Sequence, residues 1–234
     1  RLVAKEKITE EQKKEALGRI SFSTDVATLK GVPFLFEAVF ESVDVKKAIF
    51  AKLDAVCGGE VIYATNTSSL SITEMASLVK RPGKFVGMHF FNPVGVMKLV
   101  EVIPALQTEQ GTTDLALAMA KKLGKTTITC KDTPGFVVNR LLIPYMLDAA
   151  RILEAGVASA EDIDTAMKLG CGMPMGPFEL MDYTGVEISY YVGEIFHNYT
   201  KEARFAPPGL VRNMVKAGHL GKKTGKGFYD YPAK

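Results

Sequence analysis

The stretch VGMHFFNPVGVMKLVEVI, residues 86–103, contains two short apolar runs separated by the turn-like segment 93–96. Apolar runs on either side of such a Pro/Gly break predict a β-hairpin. If the runs pair antiparallel about Gly95, the chain folds His89 back directly opposite Glu101. A carboxylate that holds an imidazole suits a general base working near neutral pH. This pair is the strongest functional indication in the sequence.

The composition limits the possible classes of protein. The chain has 234 residues, is 47% hydrophobic and carries a formal net charge of +3, which allows a buried core in one large or two modest domains. That charge is too weak to argue for nucleic-acid binding, although it is compatible with an anionic ligand. The three cysteines and three histidines form no metal-site spacing, and they suggest a reducing compartment. No apolar run approaches the roughly 20 residues needed to span a bilayer.

The region from residue 32 to 131 alternates short apolar runs with segments at helical spacing. Ser71 followed by Glu74 predicts a capping box for one of the helices. Strands are predicted over 33–40, 59–65, the two runs of the hairpin and 126–130, and helices over 43–56, 71–79 and about 113–124. Alternating strands and helices indicate an α/β layer, whose sheet ends antiparallel if the hairpin forms.

After residue 131 the pattern becomes helical. Helices are predicted over 136–154, 159–169, from Pro177 onward and over 210–217, and a strand over 228–231. We therefore predict two domains, an α/β domain over 1–131 and an all-helical domain over 132–234. The opening segment, including Leu2, Val3 and Ile8, is predicted to be a charged helix. A processed precursor or a fragment would explain a first residue that is not methionine.

Polar residues follow several predicted strands, and ligands in open α/β sheets bind beyond the carboxyl ends of strands. Glu41 and the segment 66–69 follow two strands, His89 closes a third, and Asn139 is expected near the same crevice from the second domain. Each also has a purely structural interpretation. His89 would be a core histidine, the segment 66–69 a loop before a helix cap, Asn139 a locally bonded asparagine and Glu41 a helix-terminal charge. The opposed Glu101 favours the functional interpretation, because a buried carboxylate needs a partner.

Five segments together resemble one family. They are NTSSL (66–70), HFFNPVGVMKLVEVI (89–103), DTPGFVVNRLL (132–142), DIDTAMKLGCGMPMGPFELMDYTG (162–185) and GKKTGKGFYDY (221–231). They resemble the L-3-hydroxyacyl-CoA dehydrogenases, most closely the short-chain, mitochondrial β-oxidation type, and bacterial 3-hydroxybutyryl-CoA dehydrogenases share most of the motifs. The resemblance implies a Rossmann-like NAD-binding α/β domain followed by an all-α domain for dimerisation and substrate binding.

The resemblance also implies roles for individual residues. His89 would be the catalytic base and Glu101 its orienting partner, while Ser68 and Asn139 would contact the substrate oxygen. The positions expected to contact the nicotinamide cofactor are Glu41, Ser68, Asn92 and Lys223.

The opening segment resembles the part of the family that grips the CoA phosphates. Glu6 stands where a lysine is expected, so this role passes to Lys5 or Lys7. The resemblance further implies NAD as cofactor, an acyl-CoA substrate, a homodimer formed through the helical domain, and a location in the mitochondrial matrix or, alternatively, in the bacterial cytoplasm.

The family's glycine-rich strand–turn–helix, which seats the pyrophosphate at a helix N-terminus, has no counterpart in these 234 residues. We therefore expect this chain alone to bind NAD poorly, and we predict the function of the complete protein. The residue that selects NAD over NADP belongs to that portion.

The predicted activity is oxidation of L-3-hydroxyacyl-CoA to 3-ketoacyl-CoA in fatty-acid β-oxidation. One alternative is a dehydrogenase of similar build that acts on a free 3-hydroxy acid. Another is a non-catalytic fragment that serves as a helical dimerisation or binding module. No nucleic-acid partner, membrane span or metal is predicted.

Overall fold

The computed structural model of the chain describes residues 3–232. Within that range, residues Val3–Lys5 form a 3-10 turn, and the strands and helices alternate as predicted as far as β5, after which only helices follow. The strands are β1 (Phe34–Glu37), β2 (Ile62–Thr65), β3 (Phe85–Phe90), β4 (Leu99–Pro104) and β5 (Thr126–Thr129). The helices are α1 (Glu10–Gly18), α2 (Val43–Val56), α3 (Ile72–Ala76), α4 (Gln110–Lys122), α5 (Val138–Glu154), α6 (Ala160–Cys171), α7 (Pro177–Thr184), α8 (Val186–Thr200) and α9 (Gly209–Lys216).

The five strands form one sheet in the order β1-β2-β3-β4-β5. The first three run parallel, β4 runs antiparallel to β3, and β5 runs parallel to β4. In the β3–β4 register His89 lies opposite Glu101, which confirms the predicted hairpin. Strand β1 is shorter than the predicted 33–40, because the Val39 N–H donates to the Glu37 carboxylate at 2.6 Å and not to a neighbouring strand.

The sheet is covered on both faces. On one face α2 and α3 pack on a core that includes Leu35, Phe50, Tyr63 and Phe85. On the other face α4 packs against the apolar side chains Ile62, Ala64, Val86, Met88, Val100 and Val102. Burial of each large side chain contributes about 1.5–3 kcal/mol. Both layers therefore hold the carboxyl ends of the parallel strands, and the loops that follow them, in fixed positions.

Helix α3 is tied to the segment after β5. Of the predicted capping box the Ser71 half is confirmed, because the Ser71 hydroxyl accepts the Glu74 N–H at 3.2 Å. The reciprocal bond from the Ser71 N–H to the Glu74 side chain is not among the contacts of the described residues. The Asp132 carboxylate also accepts the Ser71 hydroxyl at 2.8 Å and two first-turn N–H groups at 3.0 and 2.7 Å. The helix ends at Ala76 and not at the predicted Val79, since the Ser77 hydroxyl bonds back to a helix carbonyl at 2.7 Å.

The helical part, α5 to α9, encloses a second core. The pattern from Pro177 onward predicted one helix, but the structure has α7 and α8, because Gly185 between them has a φ of +108°. A non-glycine residue is strained in that conformation. The largest buried side chains of this core include Met146, Leu147, Phe178, Met181, Phe196 and Phe205.

The predicted strand over 228–231 is wrong. The backbone N–H groups of Phe228 and Tyr229 both donate to the buried Asp182 carboxylate at 3.0 Å. Because these N–H groups bond the side chain, they cannot pair with a neighbouring strand. Among the described residues of the tail, 221–232, only isolated bridges form, at Lys226. Asp182 thereby fastens the tail to α7.

The predicted opening helix is also wrong. After the turn Val3–Lys5, Glu6 adopts a φ of +55°, which interrupts a helix, and α1 starts only after the cap Thr9. Leu2, part of the same prediction, lies outside the described residues. In residues 3–232 no helix has the length and apolar character needed to cross a bilayer.

Candidate active site

His89 and Glu101 form a buried hydrogen-bonded pair at the end of the β3–β4 hairpin. The His89 Nδ1 atom lies 2.7 Å from Glu101 Oε2. His89 is 4% exposed and Glu101 is fully buried. A carboxylate in contact with Nδ1 requires the proton on that nitrogen, so the lone pair of the neutral ring lies on Nε2.

The second oxygen of Glu101 reaches the helical part of the chain. Glu101 Oε1 accepts the N–H groups of Val137 and Val138, each at 3.0 Å, at the start of α5. The positive end of the helix dipole and two backbone donors compensate the desolvated charge. The same carboxylate therefore orients the imidazole and fixes the beginning of α5 beside it.

Ser68 is the polar neighbour of the free ring nitrogen. It lies in the loop after β2, and its Oγ is 3.1 Å from His89 Nε2. The loop is attached to β3 because the Phe90 N–H donates to Asn66 Oδ1 at 3.0 Å. Ser68, His89 and Glu101 therefore form one continuous line of polar contacts. The sequence predicted the pairing of His89 with Glu101 but not the contact between Ser68 and His89.

Glu41 holds the other side of this loop. Its Oε1 accepts from the Thr67 hydroxyl, from the Ser68 N–H at 2.8 Å and from the Ser69 N–H at 3.2 Å. The Glu41 side chain remains 37% exposed. Its position beyond β1 matches the prediction, but its contacts within the loop were not foreseen.

Aromatic rings cover the imidazole. The centroids of Phe91 and Phe136 lie 4.6 and 5.5 Å from that of His89. Phe136 is buried and has a φ of +50°, next to Gly135 at +78°. A Cβ on Gly135 would lie 2.1 Å from the Phe196 ring, so only glycine fits. The turn before α5 thus places a ring against His89 and keeps water from that side.

The remaining predicted residues are spread more widely. Asn139 is half-buried in the first turn of α5, immediately after Val138, and Asn92 is exposed just beyond β3. Lys223 contacts Glu187 of α8. Lys5 and Lys7 are exposed near the start of the chain. Among the described contacts, none of these five side chains bonds to His89 or Glu101.

A buried ion pair beside the loop was missed by sequence reasoning. Lys46 Nζ lies 2.9 Å from both oxygens of Glu37, and both residues are buried. The Thr65 hydroxyl donates to the same carboxylate at 2.6 Å. The one available signal was Glu37 itself, a lone charge inside an apolar strand, which needs a partner.

Cys130 lies near Glu101 and is partly buried. Burial, together with the smaller effect of the nearby Glu101 and Asp132 carboxylates, raises the pKa of its thiol to about 11. The thiol is therefore protonated at neutral pH and contributes no charge to the site.

The fold and the family comparisons together define an NAD-linked oxidoreductase. The family model for the 3-hydroxyacyl-CoA dehydrogenase NAD binding domain matches residues 1–133, and that for the C-terminal domain matches residues 135–231. The chain belongs to the 3-hydroxyacyl-CoA dehydrogenase family. This confirms the resemblance, the fold class and NAD as the cofactor.

Individual relatives agree with this assignment. The mitochondrial hydroxyacyl-coenzyme A dehydrogenase of Sus scrofa is 45% identical over 239 residues, covering 99% of this chain and 76% of the relative. The 3-hydroxybutyryl-CoA dehydrogenase of Clostridioides difficile is 44% identical, covering 99% and 82%. The crystal structure of (S)-3-hydroxybutyryl-CoA dehydrogenase from Ralstonia eutropha superposes with a TM-score of 0.96 at 46% identity, covering 99% and 82%.

The residues at the sheet edge fit the reacting end of a dinucleotide. Ser68 is half-buried and Glu41 is partly exposed, whereas His89 is covered. The site therefore opens on the side of Ser68 and Glu41, beyond the carboxyl ends of β1 and β2, where ligands of such sheets bind. Hydroxyl and carboxylate groups at this opening suit the amide and hydroxyl groups of a nicotinamide riboside.

Proposed function

We propose that the protein catalyses the reversible NAD-dependent oxidation of L-3-hydroxyacyl-CoA to 3-ketoacyl-CoA, with His89 as the general base. The observation that supports this most directly is the geometry of the imidazole. Its Nδ1 is occupied by Glu101 at 2.7 Å, and its Nε2 points to the Ser68 hydroxyl, 3.1 Å away, on the open side of the site.

The route of the substrate proton follows from this geometry. Neutral His89 takes the proton of the substrate 3-hydroxyl on Nε2 while the C3–H bond breaks and the carbonyl forms. NAD, when bound, supplies the acceptor for the hydride from C3. Glu101 keeps the proton on Nδ1 and stabilises the imidazolium that results. In the reverse direction the imidazolium returns the proton to the oxygen.

Two side chains are proposed to bind the substrate oxygen. The Ser68 hydroxyl already lies on the Nε2 side of His89. Asn139 lies in the first turn of α5, one residue after Val138, whose N–H bonds Glu101. Donors at an oxygen whose charge changes during the reaction stabilise the transition state. Asn92, just past β3, is proposed to lie beside the reacting centre.

For the cofactor we propose contacts from Glu41, Ser68, Asn92 and Lys223. Lys223 would exchange its partner Glu187 for the cofactor.

For the substrate's CoA end we propose contacts from Lys5 and Lys7, which are exposed cations. We also propose a domain boundary near residue 131, with an α/β domain over 1–131 and a helical domain over 132–234. The hydrophobic cores support it, since the helical part has a core of its own and, of the residues after 131, only Phe136 joins the described cores of the sheet.

A homodimer through the helical part is proposed as the assembly. Large apolar side chains are exposed on it, including Leu169, Tyr183, Ile188, Tyr191, Ile195 and Tyr199. Exposed apolar surface of this kind marks an interface between proteins. The proposed setting is fatty-acid β-oxidation, and the similar identities to mitochondrial and bacterial relatives support the mitochondrial matrix and the bacterial cytoplasm equally.

The test is the appearance of NADH with NAD and either 3-hydroxybutyryl-CoA or free 3-hydroxybutyrate. The 234-residue chain and the complete encoded polypeptide are assayed in parallel. We expect turnover of the CoA thioester by the complete polypeptide and much less with the free acid. A preference for the free acid would identify a 3-hydroxy acid dehydrogenase, and no NADH from either substrate would leave a binding module.

A further inference from the structure

We propose that Glu41 is a positioning residue for Ser68, and that the buried Lys46 in turn positions Glu41. This inference rests on the proposed function, because it concerns how the hydroxyl opposite the base is held. Glu41 is already expected to contact the cofactor. The proposal gives it a second role, which is to hold the loop of residues 66–69.

Glu41 gathers the donors of this loop on a single oxygen. Glu41 Oε1 accepts from Thr67, from the N–H groups of Ser68 and Ser69, and from the Ser69 hydroxyl at 3.3 Å. Three consecutive residues are thus fixed around one carboxylate. The Ser68 side chain projects from the middle of them to within 3.1 Å of His89 Nε2.

The other oxygen of Glu41 faces the buried ion pair. Glu41 Oε2 lies 3.7 Å from Lys46 Nζ, which also bonds both oxygens of Glu37. Glu37 is fixed at the end of β1 by Val39 and by Thr65 of β2. The ammonium group of Lys46 therefore joins the rigid sheet to the carboxylate that holds the loop.

A chain of contacts then runs from the core to the base, in the order Lys46, Glu41, Ser68, His89 and Glu101. Ser68 has no strand or helix of its own to fix it, since it lies between β2 and α3. Small misplacements of a reacting group are costly, with about 10²-fold lost in rate for a displacement near 1 Å. The position of the hydroxyl thus depends on Glu41.

A double-mutant cycle separates this role from a direct cofactor contact. We expect Glu41→Ala and Ser68→Ala each to lower kcat by about 10- to 10²-fold. In the Ser68→Ala background the Glu41→Ala change should then have little further effect, because coupled residues are not additive. Glu41→Gln keeps an acceptor oxygen and should recover much of the loss. Asp44→Ala, which removes a nearby exposed charge from α2, is the control.

A second readout does not depend on turnover. The ¹⁵N chemical shift of His89 Nε2 should move in the same direction in Glu41→Ala and Ser68→Ala, and it should stay near wild type in Asp44→Ala. Effects on kcat that multiply in the double variant, or an Nε2 signal unmoved by Glu41→Ala, would overturn the proposal. Failure of the proposed dehydrogenase activity would remove the kinetic comparison and leave the spectroscopic test in force.

Discussion

Glu101 bonds His89 with one carboxylate oxygen and the first turn of α5 with the other. The distances are 2.7 Å to His89 Nδ1 and 3.0 Å to each of two backbone N–H groups. The orientation of the imidazole and the attachment of the helical part to the sheet therefore depend on the same side chain.

Replacing Glu101 with Gln should reduce both turnover and stability. A glutamine that keeps its oxygen toward α5 presents an NH₂ group to Nδ1, which favours the tautomer with the proton on Nε2, so that nitrogen can no longer act as a base. The lost charged hydrogen bond should lower the free energy of unfolding by about 1.5–3 kcal/mol. Urea denaturation and kcat measure the two effects. Glu60→Gln, at a side chain that is 92% exposed, is the control. The same kcat and the same free energy of unfolding in both variants would contradict this account.

Lys46→Met should be strongly destabilising. It removes the cation that both oxygens of Glu37 contact and leaves a buried carboxylate unpaired, which typically costs about 3–5 kcal/mol. Adding Glu37→Gln should restore part of that loss, because the remaining charge is then removed as well. Denaturation midpoints report both variants, with Lys47→Met on the exposed face of α2 for comparison. If the Lys46→Met variant were as stable as wild type, a structural role for the Lys46–Glu37 pair would be ruled out.

Stability should fall in alkaline solution. Burial raises the pKa of Tyr229 and Tyr231, and their hydrogen bonds to Asp164 and Asp182 raise it further. A tyrosine with a raised folded-state pKa contributes stability that is complete below its unfolded value of about 10 and is lost as the pH rises through the folded value. The free energy of unfolding should therefore decrease above about pH 10.

Single substitutions test this pH dependence. Tyr229→Phe should make the alkaline decrease shallower, since it removes one of the titrating groups. Tyr199→Phe, at an exposed position of α8, should leave the slope as it is. Unfolding free energies between about pH 8 and 11 give the slopes, and identical slopes for wild type and Tyr229→Phe would argue against the assignment.

The cysteines should differ in reactivity. With a pKa of about 11, Cys130 has only about a thousandth of its thiol ionised at pH 8, and the thiolate is the reactive form. Cys171 is exposed at the end of α6. We expect iodoacetamide to label Cys171 at least about tenfold faster than Cys130, as followed by mass spectrometry of peptides. Comparable rates would mean that Cys130 is more accessible than its burial indicates.

Local patterns predicted most of the fold. The break at 93–96 was sufficient to set the β3–β4 register, because side chains alternate along a strand and one apolar run must face the other. Ser71 was likewise identified as a helix cap from its spacing alone. These features depend on neighbours that are close in sequence.

Contacts between distant segments were not predictable in the same way. Glu41 bonds Thr67, 26 residues later in the chain, and Asp132 caps a helix about 60 residues earlier. Lys46 resembles an exposed helix charge in the sequence, yet it is buried against Glu37. Such pairings are decided by the packing of α2 on the sheet, which no local pattern encodes. The prediction of a strand over 228–231 was wrong for a related reason. The Asp182 carboxylate accepts the backbone N–H groups that such a strand would need.

The most direct test of the catalytic assignment is the turnover of His89→Gln. A glutamine has no basic nitrogen, so kcat for 3-hydroxybutyryl-CoA oxidation should fall by about 10²–10⁴, with KM close to wild type. His219→Gln, in the segment after α9, should retain wild-type kcat. A His89→Gln enzyme with near-normal turnover would contradict the account.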